Sequence, residues 1–374
     1  MRRRRVLLPL NQFPGRGWVQ YDPLGVVLVI GPWNYPLYLS LAPIVAAVAA
    51  RNCAVVKPSE LAPATSAVLA RLVPEYLDPT AVRVVEGDAA ATQALLAEGI
   101  DHALFTGGTE VGKKIMAAAA PTLTPVTLEL GGKSPVIVAA DADIDVAARR
   151  IAWVKLLNSG QTCIAPDYVL AERSIADELV DKIVANVREF RSAESDPSLP
   201  IVNQRQFDRL VALISATDGK VVTGGGSDSS KLRIEPTVIV DPSGTDAVMA
   251  DEIFGPVLPI LRVDSLDAAA DFVNSKPKPL ALYLFTASRL VARALIDRVP
   301  SGGAVVNHVA MHCMLPQLPF GGVGASGMGA YHGRWGFEAM SHRRAVLAKR
   351  ARPDLKVMYP PYTETAIKIM RRVF

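Results

Sequence analysis

Short runs of consecutive apolar residues alternate along the chain with longer stretches in which apolar positions recur every three or four residues. The run Val26-Val27-Leu28-Val29-Ile30 has no polar position, which is the signature of a strand buried on both faces. Further runs predict strands over 54–56, 82–85, 102–106 and 126–130, and helical periodicity fills the intervals at 37–51, 65–77, 89–98 and 111–120. Strands alternating with helices at this spacing build βαβ units around a parallel sheet. Such sheets bind ligands beyond the carboxyl ends of their strands. A second α/β region follows over 131–338, with helices expected near 143–158, 175–190, 205–216 and 289–299. Its strands are expected at 169–171, 221–223, 238–240, 257–261, 280–285 and 304–306. Residues 1–22 and 339–374 fit neither pattern.

Composition agrees with this α/β reading and removes several function classes. Half of the 374 residues are hydrophobic and 20% are charged, as in a soluble globular protein with room for two domains. The net charge is only +4, and much of the excess lies in Arg2 to Arg5 and Arg343 to Arg352. A basic face interleaved with aromatic residues is missing, so nucleic-acid binding is not expected. Three cysteines with no CxxC pair make no disulfide framework and point to a reducing compartment. The five histidines show no metal-ligand spacing, so no metal is expected. The start has the charge of a signal peptide without its apolar stretch, since the run from Val6 is broken by Pro9. The apolar segment 37–50 is too short to span a bilayer. A cytoplasmic location is therefore expected.

Five segments carry candidate chemistry. Cys163 follows a helix in Asn158-Ser159-Gly160-Gln161-Thr162-Cys163 and precedes Pro166. Glycine and polar neighbours are unusual for a packed core cysteine, and nearby backbone N–H groups would favour the reactive thiolate. Cys53 enters a buried strand and reads as structural; Cys313 reads as structural or near the site. Glu129, at a strand end before Gly131 and Gly132, is placed as a general base, or else simply pairs with a lysine. Asn34, in the abrupt loop Gly31-Pro32-Trp33-Asn34-Tyr35-Pro36, offers an amide to an oxyanion, or is an ordinary turn residue. Gly107 and Gly112 sit in a strand–glycine–helix element suited to a phosphate. That element approaches a P-loop but has Lys114 where a serine or threonine should hold Mg²⁺. Lys57 and Glu60, after the second strand, can both reach ribose hydroxyls, and a carboxylate there favours NAD over NADP.

Each segment alone is weak, but their order and joint presence are specific. The chain resembles the aldehyde dehydrogenases, most closely the class 3 branch that acts on fatty and aromatic aldehydes. The resemblance is carried by Pro32-Trp33-Asn34-Tyr35-Pro36, Val56-Lys57-Pro58-Ser59-Glu60, Leu128-Glu129-Leu130-Gly131-Gly132-Lys133-Ser134-Pro135, Gly160-Gln161-Thr162-Cys163, Glu252-Ile253-Phe254-Gly255-Pro256 and Pro319-Phe320-Gly321-Gly322. It runs from about residue 17 to the C-terminus. It implies Cys163 as nucleophile, Glu129 as general base, and Asn34 with the Cys163 N–H as oxyanion hole. Lys57 and Glu60 become ligands of the adenosine ribose, Glu252 of the nicotinamide ribose, and Phe254 packs beside the nicotinamide. Gly107 and Gly112 match the glycines of the dinucleotide turn, and Tyr35 and Trp153 line an apolar tunnel to the nucleophile.

The implied fold is a Rossmann-type cofactor domain at 23–130 and an α/β catalytic domain at 131–338. Residues 1–22 and 339–374 become bridging segments used for homodimerisation. The implied reaction is NAD-dependent oxidation of a medium-chain aliphatic or aromatic aldehyde to the acid, with NADP compatible. Family members carry roughly a hundred residues before the Pro-Leu-Gly-Val strand, a domain-sized block, where this sequence has 22. The alternative expectation is thus a truncated, catalytically silent homologue acting as a binding or structural subunit. The basic, apolar tail after Lys356 could touch a membrane surface, although packing on a partner subunit is favoured.

Overall fold

The computed structural model describes residues 3–9, 12–191, 199–354 and 356–373. The first sheet has six strands, in the order Gly327–Met328, Val126–Glu129, His102–Thr106, Val26–Ile30, Cys53–Lys57 and Val82–Val84. All pairings are parallel except that of Gly327–Met328. Val26–Ile30 lies at its centre, and Val27, Leu28 and Val29 have no exposed surface. Each such buried aliphatic side chain contributes about 1.5–3 kcal/mol relative to exposure. The intervening helices are Pro36–Ala49, Pro63–Tyr76, Ala89–Ala97 and Thr109–Ala119. Pro36 is tolerated in the first turn because its missing N–H has no intrahelical partner there. Asp88 caps the third helix by accepting from Ala90 N–H at 2.9 Å.

The second sheet has seven strands, in the order Lys220–Thr223, Thr237–Val240, Val257–Val263, Tyr168–Glu172, Pro135–Val138, Ala281–Phe285 and Gly303–Val306. Only Lys220–Thr223 runs antiparallel to its neighbour. Pro135–Val138, a central strand, was not anticipated. Its opening proline reads as a breaker, but a proline is tolerated at the first position of a strand. The helix Leu266–Asn274 was also missed, although Ser265 caps it at Ala268 N–H. Ala147, Ile151 and Val154 of helix Ile144–Leu156 are fully buried in one core with Ala176, Leu179 and Ile183 of helix Arg173–Arg191.

The two ends of the chain meet in a third sheet. Gly15–Pro23 pairs on one side with Arg4–Val6 and on the other with Ser341–Lys349, from Ser341 opposite Pro23 to Lys349 opposite Gly15. Part of the basic run is thus a strand, with Arg344 bound to Asp22 at 2.9 Å. The strand escaped the pattern reading because most of its residues are exposed on both faces. Glu364–Val373 forms a helix that the pattern reading did not assign. Among the described residues, no helix is long and apolar enough to cross a membrane.

Candidate active site

Cys163 lies just beyond a backbone held in an unusual conformation. Asn158, Ser159 and Gly160 all have left-handed φ values, of 51°, 53° and 72°. For the two non-glycine residues this costs about 1–2 kcal/mol each. Hydrogen bonds offset it. Ser159 Oγ donates to Leu199 O at 2.6 Å, and the Gln161 amide binds Asn158 O, Pro200 O and Val202 N–H at 3.0–3.2 Å. Gly160 is sterically required, because a Cβ there would overlap the Gly255 carbonyl. The loop after Val26–Ile30 clasps this turn. Asn34 Nδ2 donates to Gln161 O at 3.1 Å, and Asn158 Nδ2 donates to Asn34 O at 2.9 Å. The Tyr35 hydroxyl and Thr162 Oγ1 share a 2.7 Å hydrogen bond. Across the loop, the buried Tyr283 hydroxyl donates to Ile164 O at 2.6 Å.

The expected bias of Cys163 towards thiolate is not present in this state. Burial pushes the thiol pKa well up, the negative charges of Glu252 and Glu129 add to that, and Cys313 adds further; the residue's own backbone N–H opposes them with a smaller effect. Glu129, at the end of Val126–Glu129, is buried and neither carboxylate oxygen has a hydrogen-bond partner. Desolvation therefore raises its carboxyl pKa well above the usual range. Among the described residues it pairs with no lysine; Lys133 binds Asp167 instead. Cys53 opens its strand as expected, but its side chain is exposed rather than packed.

The other candidates line the carboxyl ends of the first sheet or the loop facing it. Lys57, almost fully buried, donates from Nζ to Glu60 Oε2 and to Gly87 O, both at 2.9 Å. Burial raises the Glu60 carboxyl pKa, but the Lys57 hydrogen bond, the backbone and the Lys57 charge together carry it below its ordinary value. Gly107 follows His102–Thr106, and a Cβ there would collide with the Phe105 ring. Gly112 lets the helix Thr109–Ala119 approach Leu130 closely. No side chain caps that helix, Thr106 Oγ1 beside it is buried without a partner, and a Cβ at Gly108 would meet open space. A bare helix start next to an orphaned hydroxyl fits the pyrophosphate of a dinucleotide. Phe254, at φ 49°, meets Trp33 edge-on with centroids 5.4 Å apart. The Glu252 carboxylate lies against Gly131, where a Cβ would overlap it.

Asn34, Tyr35, Glu129, Cys163 and Glu252 thus converge. Trp153 does not join them directly. It lines a cavity of about 280 Å³ with Asn158, Ser159, Phe190 and Pro256, and meets His308 edge-on at 6.4 Å. The sequence reading missed Tyr331, a buried tyrosine close enough to be influenced by Glu129 and Cys163. Cys313 does lie near the site, close enough to influence Cys163, Tyr35 and Tyr283. It arrives from a distant 3₁₀ turn, Met311–Met314, which no local spacing signals.

Comparison with known proteins decides the ancestry. The aldehyde dehydrogenase family profile matches residues 10–346. The chain belongs to the aldehyde dehydrogenase family. This aldehyde dehydrogenase is 48% identical to the mouse aldehyde dehydrogenase family 3 member A2, over 94% of the chain and 73% of that protein. It is 49% identical to a rat protein named aldehyde dehydrogenase, dimeric NADP-preferring, over 92% of the chain and 77% of the relative. The solved structure of Staphylococcus aureus AldH in a substrate-bound state superimposes with a TM-score of 0.95 at 41% identity, covering 99% of this chain and 81% of that one. The relatives place it near class 3, and membership makes it an NAD(P)-dependent enzyme that oxidises aldehydes.

Proposed function

We propose that this aldehyde dehydrogenase oxidises medium-chain aliphatic or aromatic aldehydes to carboxylic acids through a covalent intermediate on Cys163. The observation that carries the reading is the convergence of Cys163, Asn34 and Glu129, with Asn34 bonded into the nucleophile's own loop at 3.1 Å. The Cys163 thiol gives its proton to solvent, and the sulfur attacks the aldehyde carbon. Asn34 Nδ2 and the Cys163 N–H receive the developing alkoxide. The cofactor supplies the hydride acceptor when bound. Loss of hydride from the tetrahedral carbon leaves a thioester on Cys163. Glu129, ionised, takes a proton from water as that water attacks the thioester, and the acid departs with the thiol restored.

Lys57, Glu60, Gly107, Gly112, Glu252 and Phe254 are the residues that would hold the cofactor. Glu60 stays ionised beside Lys57, which supports NAD, because a carboxylate accepts from a ribose 2′-hydroxyl and repels a 2′-phosphate. The surroundings of Cys163 support a neutral substrate: the side chains acting on the thiol are the carboxyls of Glu252 and Glu129 and the thiol of Cys313, with no cation among them to receive the carboxylate of a semialdehyde. Tyr35, bonded to Thr162 beside the nucleophile, supplies apolar ring surface for it.

A cytoplasmic homodimer completes the proposal. Its support is the free state of Cys53, Cys163 and Cys313, and the rat relative named as dimeric. The Ser341–Lys349 strand also leaves one edge without a partner strand among the described residues, and a free edge is a pairing surface.

The test is reduced-cofactor formation by the full chain with hexanal, benzaldehyde or succinic semialdehyde, and with NAD or NADP. Turnover of hexanal or benzaldehyde with NAD that vanishes in Cys163→Ala supports the reading. Faster turnover of succinic semialdehyde overturns the substrate class, preference for NADP overturns the Glu60 argument, and activity surviving in Cys163→Ala overturns the nucleophile.

A further inference from the structure

Beneath the site lies a group of buried charges that the reaction above does not use. Lys155, in the last turn of Ile144–Leu156, is 4% exposed, and its Nζ has no hydrogen-bond partner. An isolated buried ammonium is strongly unfavourable, so either the proton leaves or a counter-charge is near. The charged groups facing Lys155 are Asp167, Lys133 and Glu252. Two of the three are already engaged. Lys133 Nζ pairs with Asp167 Oδ2 and donates to Val248 O at 2.8 Å and Asp251 O at 2.9 Å. Asp167 Oδ1 accepts from Ile253 N–H at 2.9 Å. Lys133 and Arg209 also face Glu252, but Lys133 is held by Asp167 and Arg209 is spent on backbone, donating to Ile253 O at 2.6 Å and Glu252 O at 3.4 Å. What remains is one cation, Lys155, and one carboxylate, that of Glu252, which lies against Gly131 and pairs with no cation among the described residues.

We propose that Lys155 is a positioning residue that provides the counter-charge of Glu252, keeping that carboxylate ionised to accept the hydroxyls of the cofactor's nicotinamide ribose. This rests on the ribose-binding reading of Glu252. The energetics point the same way. Burial and the Asp167 charge push the Glu252 carboxyl up to about 8, while a backbone bond from Gly132, Lys133 and Lys155 pull it down. Burial brings Lys155 down to about 8, Asp167 and Glu252 hold it up, and Lys133 lowers it. The Cys163 thiol also faces Glu252, and its deprotonation would add to the need for a cation. Removing the Lys155 ammonium should therefore raise the Glu252 pKa and leave a larger protonated fraction at neutral pH.

The test measures the NAD dissociation constant by fluorescence titration of the full chain between pH 6 and 9, for wild type, K155M, E252Q and the double variant. Wild-type affinity should rise with pH as Glu252 ionises. In K155M that rise should move up by about one pH unit, weakening NAD about tenfold at pH 7. In the E252Q background K155M should have no further effect. A K155M loss that is the same at every pH, or that adds fully to E252Q, overturns the proposal for Lys155 alone. An E252Q variant that binds NAD as wild type does overturns the ribose reading, and this proposal with it. If K155M does not fold, the double variant decides: two neutral groups should restore the fold, and failure to do so overturns the pairing.

Discussion

Replacing Asn34 with alanine should separate catalysis from stability, because its amide holds the nucleophile's loop and, in the proposed mechanism, also serves as an oxyanion donor. In the resting state Asn34 Nδ2 donates to Gln161 O at 3.1 Å, but Asn158 Nδ2 reaches the same carbonyl at 3.2 Å. Loss of the Asn34 amide therefore leaves Gln161 O with a donor. Asn34 O, which receives Asn158 Nδ2 at 2.9 Å, belongs to the backbone and survives the substitution. The stability loss should be that of one replaceable hydrogen bond, about 1 kcal/mol, or roughly 2–4 °C or less in Tm. Catalysis should suffer far more. Removing one oxyanion donor costs about 10²–10³ in kcat, equivalent to about 2.7–4 kcal/mol that the remaining N–H of Cys163 cannot supply. The assay is steady-state turnover of hexanal with saturating NAD, beside differential scanning fluorimetry and the rate of Cys163 alkylation. The expected result is a fall in kcat of at least a hundredfold, with Tm and alkylation nearly unchanged. A kcat within threefold of wild type would refute the oxyanion assignment. A large fall in Tm would instead show that Asn34 acts by holding the loop.

Four further outcomes follow from the same geometry. Glu129→Gln should form the first equivalent of reduced cofactor and then stall, read as a pre-steady-state burst; an unchanged steady state would remove Glu129 from hydrolysis. Because burial raises the Glu129 pKa, the folded protein holds a proton that the unfolded chain loses near 4.5. Stability from this group therefore falls as pH rises between those values, and the Gln variant should flatten that slope in denaturant titrations. Gly160→Ala must place a Cβ against the Gly255 carbonyl at φ 72°, so it should lose about 1–3 kcal/mol in urea unfolding and most activity; a neutral result would show that the turn yields. Lys133→Met leaves Asp167 a buried carboxylate without its cation, which should cost about 3–5 kcal/mol in the same assay. A loss under 1 kcal/mol would show the pair to be dispensable.

Much of the architecture is written locally. The unbroken apolar run at 26–30 could only be a doubly covered strand, and the alternation that follows it requires parallel crossovers. Gly160, Gly131 and Gly112 are visible in the sequence only as motif glycines; the clashes that require them come from Gly255, Glu252 and Leu130, which the fold brings against them. Chain-end strands were less legible. Ser341–Lys349 hides no face, so it has no period to read, and only its long pairing with Gly15–Pro23 makes it a strand.

The sequence by itself settled the fold class, the family, and the residue types available for chemistry, because these depend on periodicity and on short ordered motifs. The tertiary structure alone decided their electrostatic state. Proximity to N–H groups suggested a thiolate at Cys163, yet burial among Glu252 and Glu129 outweighs it. Burial also left Glu129 without a partner among the described residues, and brought Lys155, from a helix whose apolar pattern gives no sign of it, to face Glu252. Desolvation and charge pairing sum over neighbours drawn from the whole chain, so no local window of sequence contains them.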